Sequence, residues 1–334
     1  MKDLRKLFYL LLIIPILFVQ TGCSDDDDPV DPVVEINEAE VLVKYLEANG
    51  EVINNFPVMI LASGVNTNIT TSANHYIIDI RSAEKFAEGH ITGAVNVDAK
   101  QVLAHYESNN LDSKEVVEIV CYSGQTAGWV TGLLHTMGYT NVKDMKWGMS
   151  SWNATTSASW VNSISNAKAS QLVTAVTEKA TAGDLPELST GKTEAKDILR
   201  ARVEAVFAEG FSTEGAKMTN SNAFDTPSNY YIVNYWSPAD YSWGHIPGAI
   251  QYTPKASLTF DADLKTLPTD KTIAVYCYTG QTSAHVAAYL RVLGYDAKSI
   301  VYGVNGMAHD TMPGTVFDPT TPDGHDIYDL PLVQ

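Results

Sequence analysis

The chain has 334 residues, 39 acidic and 22 basic, for a net charge of −17. That balance argues against a nucleic-acid binder, whose phosphate-facing surface needs concentrated Lys and Arg. Its apolar content of 45% is ordinary for a folded chain, and 334 residues are enough for two domains at roughly 100–200 residues each. Three cysteines are too few for a disulfide framework, so each must be read on its own.

The first segment reads as a targeting signal. Lys2, Arg5 and Lys6 precede an almost wholly apolar run from Leu7 to Val19. That run is too short to span a bilayer comfortably and fits the apolar region of a signal peptide. It ends at Thr21-Gly22-Cys23. A small residue followed by Cys at this point resembles the lipobox of bacterial lipoproteins, although Gln20 stands where that signal usually has Leu. The resemblance implies that residues 1–22 are removed, that Cys23 is lipidated, and that the protein sits in the bacterial cell envelope. Outer membrane, periplasmic or surface-exposed placement is the expectation. An ordinary secretory signal with an incidental Cys is the alternative. Residues 23–34, with Asp25 to Asp28, read as an acidic tether or as a sorting signal.

An internal repeat organises the rest. Tyr76-Ile77-Ile78-Asp79 matches Tyr231-Ile232-Val233-Asn234, and Gly89 to Ala94 matches Gly244 to Ala249. Cys121 to Ala127 matches Cys277 to Ser283 at the same spacing of 155 or 156 residues. Two domains follow, 35–153 and 191–334, joined by a linker over 154–190. Within each, an opening helix (Glu38 to Leu46; Glu194 to Phe207) precedes a short apolar strand (Ile77 to Ile80; Ile232 to Tyr235). Val116 to Val120 and Ile273 to Tyr276 read as buried parallel strands. A one-sided apolar helix follows each Cys and ends at Gly138 or Gly294. A last strand is expected near Val142 and over Ile300 to Val301. The fold class is therefore α/β, each domain a mainly parallel sheet flanked by helices. One helix is expected in the linker, near Gln171 to Lys179. The Pro- and Asp-rich chain after Met312 is expected to lie on the second domain or to be partly free.

Cys121 and Cys277 each end an apolar strand and open a Gly-containing loop that leads into a helix. Loop N–H groups and a helix N-terminus converge at such a point, where they cradle negative charge and favour a thiolate. Gly124 and Gly280 permit the tight turn, and Thr126 and Thr282 can donate to an anion or cap the helix. A disulfide between Cys121 and Cys277 would require two loops of separate domains to face each other closely. His90 and His245 read as structural residues. His309 and His325 lack ligand spacing, so no metal is expected.

The two cysteine loops, the Gly-His-Ile-x-Gly-Ala hexapeptides, the Asp79-Ile80-Arg81 strand end and the Gly148 and Gly303 turns resemble the rhodanese family in tandem. The resemblance covers residues 35–153 and 191–310. It implies a sulfurtransferase that moves a sulfane sulfur from thiosulfate, mercaptopyruvate or polysulfide, through a cysteine persulfide, to a thiol or cyanide. No cofactor is implied. Cys121 and Cys277 would be the nucleophiles. Tyr122, Ser123, Gly124, Gln125, Thr126, Tyr278, Thr279, Gly280, Gln281, Thr282, Ser283 and Arg81 would bind substrate. Phosphatases of this fold need an Arg where Ala127 and Ser283 stand, which disfavours phosphate chemistry. Asn234 and Trp236 replace the Asp79 and Arg81 of the first copy. The neutral loops motivate a second reading, a non-catalytic binding or scaffolding lipoprotein that reuses the fold.

Overall fold

A computed structural model describes residues 37–50, 52–319 and 326–334. The signal and tether segments, Cys23 among them, and His325 lie outside the described residues. Helix α1 (Glu38–Ala48) opens the first repeat. Strands β1 (Met59–Ile60), β2 (His75–Asp79), β3 (Val95–Asn96) and β4 (Val116–Val120) follow, then helix α2 (Gln125–Thr136) and β5 (Val142–Met145). The second repeat runs α3 (Ala195–Glu209), β6 (Lys217–Met218), β7 (Tyr230–Asn234), β8 (Ile250–Gln251), β9 (Thr272–Tyr276), α4 (Gln281–Val292) and β10 (Ala297–Ile300). Each repeat builds a five-stranded sheet, ordered β1-β5-β4-β2-β3 and β6-β10-β9-β7-β8. Every pairing between these strands is parallel.

The central strands β4 and β9 are buried beyond their first residue, as their apolar, partly β-branched sequences require. Cys121 and Cys277 directly follow them. The sheet therefore carries each thiol at the carboxyl end of its middle strand, where open α/β sheets hold ligands.

Helices α2 and α4 then meet across the two repeats. Gly128 and Gly132, one turn apart on α2, make the approach close. A Cβ on Gly132 would lie 3.1 Å from the Ala288 Cβ and 3.1 Å from the His285 Cα. At Gly128 it would lie 3.1 Å from the Gln281 carbonyl oxygen and from the His285 ring. Helix α1 also packs on α3. Leu42, Trp129 and Leu133 thus share one apolar core with Val206, Tyr289 and Leu290 of the other repeat.

The connecting segments depart from expectation in an instructive way. Past the short helical turn Ala169–Gln171, Leu172 to Lys179 is not helical: it is extended, with antiparallel bridging of Val173 to His245 and parallel bridging of Thr177 to Ile250. Val173, Thr174, Val176 and Thr177 are β-branched, which disfavours helix and suits a strand laid on a sheet edge. The short helices of the linker lie earlier, at Ala154–Thr156, Ala158–Val161 and Ala169–Gln171.

The C-terminal arm does not lie only on the second domain. Residues 326–334 dock on the first, where the Tyr328 and Leu330 N–H groups donate to the Ser151 and Trp152 carbonyls, and Val333 pairs with His90. The two arms are related. Leu172 packs on Gly244 as Leu332 packs on Gly89, and Val173 and Val333 pair with His245 and His90. Each domain's C-terminal extension is therefore laid on the other domain.

Candidate functional site

Both cysteine thiols are free and buried. The loop after Cys121 turns because Gly124 adopts φ +81, and Gly280 does the same at φ +79. What fixes the direction of the loop N–H groups is the fate of its carbonyls. The Cys121 and Tyr122 carbonyls accept from the N–H groups of Met149 (2.8 Å) and Ser150 (3.1 Å). The Ser123 carbonyl accepts from the Trp160 indole N–H at 3.0 Å. With the carbonyls tied outward, the N–H groups face inward. Gly124 and Ala127 donate to the Cys121 Sγ at 3.1 and 3.3 Å.

The second loop repeats this. Cys277 and Tyr278 carbonyls accept from Val304 and Asn305, and the Gly280 and Ser283 N–H groups reach the Cys277 Sγ at 3.3 and 3.4 Å. Gly148 and Gly303 make the closing turn fit. Both hold positive φ, and a Cβ on Gly148 would come 2.5 Å from the Cys121 carbonyl oxygen and the Gly124 nitrogen. Only glycine permits that approach.

The glutamines of the two loops do not stay in their own domains. The Gln125 Oε1 accepts from the Tyr302 N–H at 2.7 Å, and the Gln281 Oε1 accepts from the Trp147 N–H at 3.0 Å. Tyr302 and Trp147 occupy equivalent positions, both with left-handed backbone at φ +61 and +65. The exchange is reciprocal. Gln281 also donates through Nε2 to the Asp144 carboxylate at 3.0 Å. His285 of α4 places Nε2 2.9 Å from the other oxygen of Asp144, while its Nδ1 faces the Gln281 carbonyl at 3.0 Å. Asp144 and His285 are wholly buried. The Gln281 amide supplies a hydrogen bond to this carboxylate, and the His285 ring lies beside it without one; a buried polar group is costly to leave without such neighbours.

Asp144 lies on the Cys121 side of its sheet. It pairs with Ile119, two residues before Cys121, and alternation along a strand returns side chains to one face every second residue. Burial pushes the Cys121 thiol above its ordinary pKa, and the Asp144 charge adds to that, against the opposing pull of the Ala127, Ser123 and Gly124 N–H groups. The expected net lowering of this thiol by its cradle is therefore corrected: desolvation outweighs it in the free protein.

A cavity of about 380 Å³ opens over Cys121. Tyr122, Ser123, Gln125 and Thr126 line it from the first domain; Phe211, Lys217, Thr219 and Tyr302 line it from the second. A second cavity of about 280 Å³ flanks the other side of Tyr122, bounded by Arg81, Lys85, Thr155 and Leu332. Arg81 is less free than a substrate-binding role suggests. Its Nε and Nη2 donate to the Asp79 carboxylate at 2.6–3.0 Å, and Nη2 also donates to the Gly89 carbonyl at 2.8 Å.

In the second domain, Tyr276 takes over this bracing: its hydroxyl accepts from Asn234 Nδ2 (2.8 Å) and the Ile246 N–H (3.2 Å). Trp236, at the place of Arg81, is buried and stacks on Tyr278 at 4.6 Å between ring centroids. Thr279 accepts from the Gln281 N–H, and the Ser283 Oγ lies 3.7 Å from the Cys277 Sγ; Thr282 is half-buried beside them. His90 and His245 are hydrogen-bonded within their turns, to Phe86 and Tyr241 carbonyls. His309 faces Asp310 and the Phe317 carbonyl, and no group of metal-ligating side chains occurs among the described residues.

Two parallel sheets with a thiol-bearing loop at each middle strand define a tandem α/β protein of the rhodanese type. The chain matches the rhodanese-like domain family over residues 62–155 and 217–309, more than half its length, and it belongs to that family. It is 37% identical over 79 residues to thiosulfate sulfurtransferase GlpE of Pseudomonas putida, covering 24% of this chain and 70% of that protein. It is 28% identical to thiosulfate sulfurtransferase PspE of Escherichia coli, covering 25% of this chain and 82% of that protein. Among solved structures, a thiosulfate sulfurtransferase from Pseudomonas aeruginosa aligns over 84% of this chain and 48% of its own, at 15% identity and a TM-score of 0.31.

The thiolate is the form that alkylates, and burial holds Cys121 as the thiol. Its reaction with iodoacetamide, followed by peptide mass, is therefore expected to be slow at neutral pH. The rate should keep climbing with pH beyond the ordinary thiol range. A rate that levels off below neutral pH would mean that the loop N–H groups prevail over desolvation.

Proposed function

We propose that this protein is a sulfurtransferase that carries sulfur as a cysteine persulfide. One observation carries the reading: in both repeats the loop N–H groups converge on the Sγ at 3.1–3.4 Å. Preorganised N–H groups stabilise negative charge where it develops, at no reorganisation cost during the reaction. A cysteine thiolate attacks the transferable sulfur of the donor, which is the sulfane sulfur of thiosulfate or polysulfide or the thiol sulfur of mercaptopyruvate. The new Sγ–S bond forms as the donor's bond to that sulfur breaks, and the electron pair leaves with the departing group. The terminal sulfur then bears the negative charge that the cradle is shaped to hold. Cyanide or a thiolate attacks this sulfur, the Sγ–S bond breaks, and the cysteine thiolate returns. The thiol proton passes to solvent in the first half-reaction and is regained in the second. No external oxidant or reductant is required.

Thiosulfate, mercaptopyruvate and polysulfide are the candidate donors. The likeness to proteins named thiosulfate sulfurtransferases favours the first. The converging N–H groups support catalysis over a purely binding role. The Thr21-Gly22-Cys23 sequence supports lipid anchoring at Cys23 in a bacterial envelope, and loss of the protein from the membrane fraction in Cys23→Ser reads that anchor.

Cyanolysis tests the proposal. Purified protein with thiosulfate and cyanide should release thiocyanate, and Cys121→Ser/Cys277→Ser should abolish release. Thiocyanate formed at the wild-type rate by the double variant would contradict it, as would its absence from the wild type with every candidate donor.

A further inference from the structure

The two loops share a cradle but not surroundings. Tyr122, which follows Cys121, is 42% exposed and has a cavity on each side. Among the described residues its hydroxyl makes only long contacts, 3.3–3.4 Å, with Ser82. Tyr278, which follows Cys277, is fixed on three sides. Its ring stacks on Trp236, and its hydroxyl donates to the Asp240 carboxylate at 2.5 Å. The arm beyond the second domain presses Gly314 onto the same ring so closely that a Cβ there would overlap it. That arm is fastened by Asn305, whose Nδ2 donates to the Tyr278 and Thr315 carbonyls and whose Oδ1 accepts from the Phe317 N–H. Moving Tyr278 aside would break a charge-assisted hydrogen bond, an aromatic stack and the arm's seat together.

Charge differs in the same sense. Asp240, beside Tyr278, stands where the first repeat has Lys85. Burial and Asp240 push the Tyr278 phenol well above its ordinary range, so it holds its proton for that carboxylate. The Cys121 cavity instead receives Lys217 from β6 of the other domain. Lys217 forms no ion pair with any described residue. By strand register its counterpart is Met59: Lys217 pairs with Ser299 on β10 as Met59 pairs with Asp144 on β5. The first domain therefore offers no equivalent cation from that strand position. An unpaired ammonium lining the cavity over a nucleophilic sulfur suits an anionic end of a bound molecule.

We propose that Cys121 is the cysteine that turns over, and that Lys217 of the second domain selects sulfane donors bearing a negative charge at that site. The inference rests on the persulfide reading above. The second domain acts as the wall of the first domain's site, and Cys277 is held closed by Trp236, Asp240 and the Gly314 arm. Sulfur transfer at Cys121 follows the balance already given: the donor's anionic portion departs with the electron pair, and Lys217 holds that portion throughout.

The test combines mapping of the sulfur with a comparison of donors. Wild-type protein is treated with thiosulfate, digested without reductant, and searched for peptides heavier by one sulfur atom. The addition is expected on the Cys121 peptide, with little on the Cys277 peptide. Cyanide-dependent turnover should fall about 100-fold or more in Cys121→Ser, the size expected on losing a nucleophile. Lys217→Met, which installs the first repeat's residue, should lower kcat/KM for thiosulfate about tenfold more than for a neutral α-mercapto ketone, whose thiol sulfur can be transferred with the enolate as leaving group, through KM, as loss of one charge-assisted hydrogen bond predicts. Circular dichroism of this variant separates that effect from misfolding, which would depress both donors equally. Sulfur found on Cys277 together with turnover retained in Cys121→Ser overturns the inference and leaves the persulfide reading intact. Equal losses for the two donors in a folded Lys217→Met overturn the role of Lys217. Sulfur on neither cysteine, with no turnover, overturns the persulfide reading itself.

Discussion

The structure depends on the close contact of α2 with α4. Without side chains at Gly128 and Gly132, the helix axes approach closely enough for the loops preceding them to exchange glutamines. Each glutamine completes the turn behind the other domain's strand, at Tyr302 or Trp147, where a non-glycine residue is held in left-handed backbone. Such a conformation costs about 1–3 kcal/mol and persists only where its surroundings over-determine it. The crossed hydrogen bonds are part of those surroundings. The exchanged arms, each laid on the opposite domain, add to the same coupling.

Placing the second domain against the first gives the Cys121 loop its cavity wall and its neighbouring cation. It also brings Gln281 and His285 onto Asp144. That carboxylate would otherwise sit buried and uncompensated on the face of the sheet that carries Cys121. The duplicated sequence has thus produced an unequal pair. The repeats keep the cradle and differ in what surrounds it, with Arg81 bonded to Asp79 in one and Trp236 stacked on Tyr278 in the other.

Much of this was legible in the sequence, for physical reasons. Buried parallel strands must be short and apolar, so Val116 to Val120 and Ile273 to Tyr276 could be placed closely. A Cys followed by a Gly loop and a helix marks the place where N–H groups gather. The duplication also made each element a check on its twin. What the sequence concealed depends on pairing at a distance. Gly128 and Gly132 read as weak helix positions, because the helix they accommodate lies some 155 residues further along. Gln125 and Gln281 read as parts of their own cradles, since nothing local marks a side chain that crosses between domains. Asp144 and His285 are each unremarkable alone. Lys217 lies on a two-residue strand too short to predict. One signal lies in the sequence itself: Leu172-Val173 and Leu332-Val333 are a further repeat, which marks the exchanged arms and argues against a helix from Leu172 onward.

The central claim is that the α2–α4 contact makes the two repeats one cooperative body. Equilibrium unfolding of Gly132→Leu and of the wild type in urea, followed by both tryptophan fluorescence and far-UV circular dichroism, tests it most directly. The wild type should unfold with coincident transitions by the two probes. The leucine, forced against Ala288 and the His285 backbone, should lower the midpoint of that shared transition, with a cost of about 1–3 kcal/mol or more for overpacking. Two separated transitions in the wild type, or an unchanged midpoint in the variant, would contradict the account.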